Sequence, residues 1–447
     1  MISKILIANR GEIAVRIIRA AKELGIKTAV VYSKADKESL AVKLADQAIC
    51  IGPAPAAESY LFYQNILSAA LSSKADAIHP GYGFLAENSH FSDACRAMKI
   101  QFIGPKSNAI RRMGDKAMAK ELMRNSGVPV IPGSDGIVDS FNIACEIVEK
   151  TGFPIIIKAS AGGGGKGMRI VDEKKELERA FNYASTEAQQ AFGDSRVYIE
   201  KYIGSPKHIE VQILGDKHGN VVHLFERDCS IQRRHQKLVE EAPSPSIDKD
   251  TRKKLGEIAV KAAQSVEYDS AGTVEFLYDI DTREFFFMEM NTRIQVEHPV
   301  SEMITGIDLI KYQIRIANGE ELDLKQKHIE QRGHAIECRI NAENPEKDFH
   351  PNPGKITQLR TPGGPGIRID SGVYSGYTIP PYYDSMVAKL IAWGTNRKEA
   401  IDRMKRGLDE FFIEGIKTTI PFHKEVMKHK EFLSGQYTTD FISKYMS

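Results

Sequence analysis

Glu275, Glu289 and Asn291 stand on two apolar runs joined by a polar turn: residues 273–278 read TVEFLY, 284–291 read EFFFMEMN, and DIDTR lies between them. Such a pair of runs predicts a β-hairpin. Side chains alternate along a strand, so Glu289 and Asn291 share a face. A loop over residues 281–283 sets Ile280 opposite Glu284, and counting back sets Glu275 opposite Glu289. Two carboxylates and an amide on an apolar sheet face repel and lose hydration unless a cation joins them. Such oxygen ligands suit Mg²⁺ carrying substrate phosphates. A surface sheet would tolerate the same glutamates, but Phe276, Phe287 and Met288 flank them with apolar surface.

Arg293, Gln295 and Glu297 follow in NTRIQVEHP. An extended chain carries them along the same side, where a guanidinium clamps an anion and a carboxylate serves as general base. In isolation such a pair is a solvated ion pair. A second segment, AGGGGKGM at residues 161–168, matches G-x-G-x-x-G at Gly162, Gly164 and Gly167. The dinucleotide fingerprint needs a helix directly after the glycines, and here a strand-like MRIVD follows. The P-loop pattern fails at Ser160 and at the glycine after Lys166. What remains is strand, glycine loop, strand. Glycines let backbone N–H groups fold over phosphates, although a surface hairpin carries glycines too. Lys158, ending the preceding strand, is placed to meet phosphate oxygens or solvent.

The elements that position these groups fall into sections. Up to about residue 103, short apolar runs alternate with amphipathic segments. Strands are expected at residues 4–8, 27–32, 77–78 and 100–103, and a helix at 12–24 ended by Gly25. That alternation predicts a doubly wound, Rossmann-like parallel sheet. A helix over residues 116–126 leads to a section holding the strand 153–159, the glycines and the strand 168–172. From about Gly204 long apolar strands (209–214, 221–227, 273–278, 284–291) predict a mainly antiparallel sheet with helices. The expected domains are 1–114, 115–203 and 204–447.

The 447 residues exceed one ordinary core and suggest about three domains. Composition is that of a globular protein, 42% hydrophobic and 27% charged. A net charge of +2 points to neither nucleic acid nor a membrane surface. Five scattered cysteines, without a CxxC pair, argue against a disulfide framework or zinc site. No signal-like start and no long apolar run are read, so a cytoplasmic chain is expected.

These motifs, taken together, resemble the biotin carboxylase family of ATP-grasp enzymes. The resemblance runs through ANRGEIAVRIIR, HPGYGFLAEN, MGDK, KASAGGGGKGM, RDCSIQRRHQK, EMNTRIQVEHPV, AIECRIN and PPYYDSMVAKL. It implies an N-terminal Rossmann-like domain, an ATP-grasp lid and core, and a C-terminal β region. It also implies an enzyme that phosphorylates bicarbonate with ATP and passes CO₂ from carboxyphosphate to the ureido nitrogen of biotin. By that resemblance Lys116 and Lys158 contact phosphates, and Gly162, Gly163, Gly164, Gly165 and Gly167 form the lid loop. Glu200, Lys201, Tyr202 and Ile203 form the adenine hinge, with His208, Gln232 and His235 also at the nucleotide. Glu275, Glu289 and Asn291 hold Mg²⁺ or Mn²⁺. Lys237, Arg293, Gln295 and Val296 bind bicarbonate, Glu297 is the base, and Arg339 stabilises the biotin enolate beside Tyr82 and Glu87.

The sequence departs from many members at Ala161 and Lys166 of the lid, which carry Gly and Arg elsewhere, and at Pro365, where some bacterial members place an aromatic dimer contact. Arg19 and Glu23 match dimer residues, so a homodimer is expected. The AMKI at residues 97–100 is close to the AMKM of biotin-bearing domains, but those are β-hairpin modules and this stretch ends a helix. Biotin is therefore expected on a separate biotin carboxyl carrier protein, with carboxyltransferase subunits completing an acetyl-CoA carboxylase. The alternative is a role within a pyruvate or other acyl-CoA carboxylase. More distant readings are an ATP-grasp carboxylate–amine ligase and a catalytically dead nucleotide-binding protein.

Overall fold

The computed structural model describes residues 1–159, 168–192 and 195–446. Its N-terminal strands are β1 (Lys4–Ile7), β2 (Lys27–Ser33), β3 (Gln47–Gly52), β4 (Ala77–His79) and β5 (Gln101–Phe102). They form a parallel sheet in the order β3-β2-β1-β4-β5. The helix α1 (Gly11–Glu23) follows β1 and buries Ile13, Ile17 and Ile18 against this sheet's core. Gly25, at φ 72°, lets the chain turn back after the helix. The strand order reverses between β1 and β4, and such switch points open a crevice beyond the strands' carboxyl ends. Asn9 spans this one, its Nδ2 donating to the carbonyls of Pro80 and Tyr82 at 2.7 Å each. The doubly wound sheet expected from the alternation is present.

A three-stranded antiparallel sheet, ordered β7-β6-β8, comprises β6 (Ile155–Ala159), β7 (Met168–Val171) and β8 (Val197–Lys201). Lys158 pairs with Met168, so the two strands expected to flank the glycine segment do form a hairpin. The helices Phe141–Thr151 and Leu177–Phe192 supply Ala144, Val148, Phe181 and Ala184 to its core.

The largest sheet has eight strands. It contains β9 (Lys207–Gly215), β10 (Val221–Arg233), β11 (Gln236–Ala242), β12 (Ala271–Tyr278), β13 (Phe285–Asn291) and β14 (His334–Asn341), with the strands Ile367–Ser371 and Met386–Gly394. The order is β13-β12-β9-β10-β11-β14, then Met386–Gly394, then Ile367–Ser371. The pairings from β9 through β10, β11 and β14 to Met386–Gly394 are antiparallel, as the long apolar runs predict. The β12–β13 turn closes through Asp279 N–H to the Glu284 carbonyl at 2.9 Å, one residue earlier than the expected Ile280–Glu284 pair. The Asp279 side chain accounts for this by accepting from Asp281 N–H at 2.9 Å and tightening the turn.

Two compact units emerge: Met1–Asp115, Lys207–Glu275 and Glu289–Ser447 in one, Lys116–Pro206 and Phe276–Met288 in the other. AMKI ends the helix Ser89–Ala97 and runs through Lys99 at φ 59°, so it sits on no β-hairpin tip. No helix among the described residues is long and apolar enough to cross a membrane.

Candidate active site

The larger unit gathers most of the expected residues around one ammonium. Lys237 Nζ donates to Glu210 Oε2 at 2.5 Å, Glu297 Oε1 at 2.7 Å and Glu275 Oε1 at 2.9 Å. Its three N–H groups are thereby all spent on carboxylates. Strand register explains the convergence. Lys237 lies opposite Gln232 across β10–β11, and Glu210 lies opposite Arg227 across β9–β10. Burial works against the lysine's charge, but Glu210, Glu275 and Glu297 raise its pKa well above the ordinary value.

Glu275 is the common acceptor of the neighbourhood. Besides Lys237 it meets His208 Nε2 at 2.8 Å, Gln295 Nε2 at 2.7 Å and Asn291 Nδ2 at 2.8 Å. Burial pushes its pKa up, yet Lys237 and His208 hold it well below the usual carboxylate range. Asn291 turns its Oδ1 to Arg293 Nη2 at 3.1 Å. Glu289, half-buried on β13 two residues before Asn291, shares that residue's face.

Residues 293–297 do not continue as a strand. They bend into the helix His298–Thr305, with Glu297 as its N-cap residue and Pro299 in its first turn. Pro favours that position because its missing N–H needs no partner there. The bend still delivers Gln295 to Glu275 and Glu297 to Lys237. It also sets the Glu297 carboxylate at a helix N-terminus, where negative charge is favoured. Arg339 Nη2 reaches the other oxygen, Glu297 Oε2, at 2.9 Å, and its Nε donates to Glu240 Oε1 at 2.6 Å. Burial would raise the Glu297 pKa, but Lys237, Arg339 and Arg227 hold it well below the ordinary value.

Arg293 Nε pairs with Glu87 Oε2 at 2.8 Å, and Glu87 Oε1 also accepts from Thr292 N–H at 3.0 Å. The Tyr82 hydroxyl donates to Glu12, and the Val296 carbonyl accepts from Lys389. Gln232 Nε2 sits 3.4 Å from His208 Nδ1. His235 occupies the β10–β11 turn with Arg234, both at positive φ (65° and 49°).

The smaller unit holds the remaining expected residues. Glu200, almost fully buried, pairs with Lys158 at 2.6 Å and with Lys120. Burial and the charge of Lys116 push Lys158 down to about 8. Burial, Lys158 and Lys116 do the same to Lys120. Lys201 Nζ donates to the Phe153 carbonyl at 2.7 Å, the Tyr202 hydroxyl lies 3.4 Å from the Gly204 carbonyl, and Ile203 is half-buried. Gly162, Gly163, Gly164, Gly165 and Gly167 lie outside the described residues.

Four buried carboxylates, Glu210, Glu240, Glu275 and Glu297, share the cations Arg227, Lys237 and Arg339. Ligand atoms of His208, Glu210 and Glu275 lie within 4.8 Å of one another. Clustered carboxylate and imidazole ligand atoms of this kind can hold a divalent cation. Glu210, Arg227 and Glu240 were not among the residues expected from sequence. For Glu210 alternation was the signal: in HIEVQIL the residues His208, Glu210 and Gln212 share one face, and β9 is buried throughout.

Three family models match the chain: the biotin carboxylase N-terminal domain over residues 1–110, the ATP-binding domain of carbamoyl-phosphate synthase L chain over 115–325, and the biotin carboxylase C-terminal domain over 337–444. The chain is 57% identical to biotin carboxylase 1 of Bacillus subtilis, covering 100% of this chain and 99% of that protein. It is 58% identical to a pyruvate carboxylase subunit of Methanothermobacter thermautotrophicus, covering 100% and 90%. Among solved structures it resembles the biotin carboxylase domain dimer of Hydrogenobacter thermophilus 2-oxoglutarate carboxylase with MgADP and bicarbonate. That match has a TM-score of 0.91 and 51% identity, and covers 100% of this chain and 98% of the other.

Proposed function

This chain belongs to the biotin carboxylase family, and from that premise we propose that it carboxylates biotin on a separate carrier protein, with ATP and bicarbonate, as the first half-reaction of acetyl-CoA carboxylase. The observation that carries the chemistry is the grip of Lys237 and Arg339 on the two oxygens of Glu297. A carboxylate held ionised can take a proton. Lys237, Arg293, Gln295 and the Val296 backbone bind bicarbonate. As they draw Lys237 towards the new anion, Glu297 loses a stabilising cation and becomes a stronger base. The deprotonated oxygen attacks the γ-phosphorus of ATP, ADP leaves, and carboxyphosphate forms. Its breakdown yields CO₂ and phosphate, and phosphate accepts the proton of the biotin ureido nitrogen. Arg339 then faces the ureido oxygen, which carries the developing charge.

Glu275, Glu289 and Asn291 are the proposed holders of Mg²⁺ or Mn²⁺, supported by the ligand atoms clustered around Glu275 and by the face that Glu289 and Asn291 share. When bound, the ion neutralises phosphate charge during transfer. Nucleotide contacts are proposed for Lys116, Lys158, Glu200, Lys201, Tyr202, Ile203, His208, Gln232, His235 and the lid glycines. Tyr82 and Glu87 are proposed at the biotin pocket. For the proposed division 1–114, 115–203 and 204–447, the first boundary draws support from the family models, which end at residue 110 and begin again at 115. A cytoplasmic homodimer serving carboxyltransferase subunits completes the reading, the dimer supported by the Hydrogenobacter relative. The Methanothermobacter relative favours pyruvate carboxylase as the second setting. Phosphate release, measured with bicarbonate and biotin omitted in turn, tests the reaction. It should fall to background without bicarbonate and by at least about tenfold without biotin. Full release without biotin would overturn it.

A further inference from the structure

Lys389 is a fully buried ammonium that this mechanism does not use. It lies directly across from Arg339 on the neighbouring strand, so the two cations share a face. Arg339 pairs with Glu240 and Glu297. Lys389 has its own partners: the Val296 carbonyl at 2.8 Å, Glu12 Oε1 at 3.1 Å and Asp370 at 3.9 Å. Glu12, in the first turn of α1, also accepts from the Tyr82 hydroxyl, while its Oε2 has no hydrogen-bond partner among the described residues. Tyr82 itself stands at the switch point between β1 and β4, where Asn9 fixes its backbone. The contacts thus run unbroken from Val296 through Lys389 and Glu12 to Tyr82. A buried charge is kept only where a partner compensates it, so neither Lys389 nor Glu12 is a filler of the core.

We propose that Lys389 and Glu12 are positioning residues for the carboxylation reaction: the one ammonium fixes the Val296 peptide at the bicarbonate site and, through Glu12, the Tyr82 hydroxyl at the biotin pocket. This rests on the function proposed above for Val296 and Tyr82. The two halves are separable. Glu12→Gln preserves shape but weakens the Tyr82 contact, leaving Lys389 on Val296. Lys389→Met releases both ends.

Steady-state assays on the full chain, with free biotin as acceptor, decide the matter. Glu12→Gln should raise KM for biotin about tenfold and leave KM for bicarbonate within about twofold, a split that a merely structural role does not produce. Lys389→Met should raise both KM values about tenfold. If Lys389→Met does not fold, Glu12→Gln and Tyr82→Phe still decide. Both act on the same contact, which Tyr82→Phe removes outright, so the double variant should be no worse for biotin than Tyr82→Phe alone. Glu12→Gln shifting both KM values together, or neither, overturns the proposal, as does an additive double variant. A wild-type enzyme indifferent to biotin would instead overturn the function itself.

Discussion

Glu297 is compensated by Lys237 and Arg339, and its proposed chemistry follows from losing part of that compensation. Glu297→Gln keeps the shape and the acceptor oxygen but removes the base. ATP affinity should stay within about twofold while turnover falls by about 10² to 10⁴. Near-normal turnover would remove Glu297 from that role. At this scale the sequence was partly legible. Glu275, Asn291 and Glu297 stood out because polar groups interrupted apolar runs. Arg227 was hidden, although it is fully buried and donates to Glu210, Gln212, Ser301, Thr273 and Gln295. Its partners come from strands and a helix far apart in sequence, and no local pattern announces such a meeting. The expected opposition of Glu275 and Glu289 depended on turn closure, which Asp279 shifts by one residue.

Elements place these groups by register and by how each strand ends. The 293–297 segment was expected to extend, and instead it turns into a helix; His298–Pro299 was the readable mark of that start. The strands around the glycines were legible because β-branched and apolar runs flank an uninterrupted glycine tract. The β10–β11 hairpin makes a sharper test. Its two turn residues, Arg234 and His235, both adopt the left-handed conformation that Asn and Gly tolerate better. Replacing them by Asn-Gly should stabilise the fold by about 1 kcal/mol per residue. The lost contact between Arg234 and Asp348 is exposed and worth less. The same change should raise KM for ATP, because His235 is proposed at the nucleotide. A lower melting temperature, or an unchanged KM, would contradict these expectations in turn.

The molecule as a whole carries a pH dependence in its buried histidines. Burial, and for His79 also the charge of Arg16, pushes pKa values down to about 3 for His79 and about 4 for His223 and His423. The unfolded chain protonates these rings below about pH 6.5, and the folded chain does so only below about pH 4. At these three sites the unfolded state therefore binds more protons between those limits, and their contribution to stability rises with pH through the window by up to about 4 kcal/mol per pH unit near pH 5. Glu240 and Asp269 oppose it, because burial raises their carboxyls to about 7 and about 6 and the folded state holds the extra protons there. His223→Gln should therefore lower the slope of the urea midpoint against pH between about 5 and 7 relative to the parent chain; an unchanged slope would contradict this. The Rossmann-like sheet and the antiparallel sheet were both visible in the sequence because strand and helix periodicities differ. The two-unit division was not, because the chain crosses from one unit to the other more than once. At the centre of the proposed chemistry, ATP activates bicarbonate as carboxyphosphate. The most direct measurement of that step is the fate of ¹⁸O from labelled bicarbonate during biotin-dependent turnover. Attack by a bicarbonate oxygen on the γ-phosphorus, followed by loss of CO₂, predicts one ¹⁸O in each released phosphate; phosphate free of label would contradict the account.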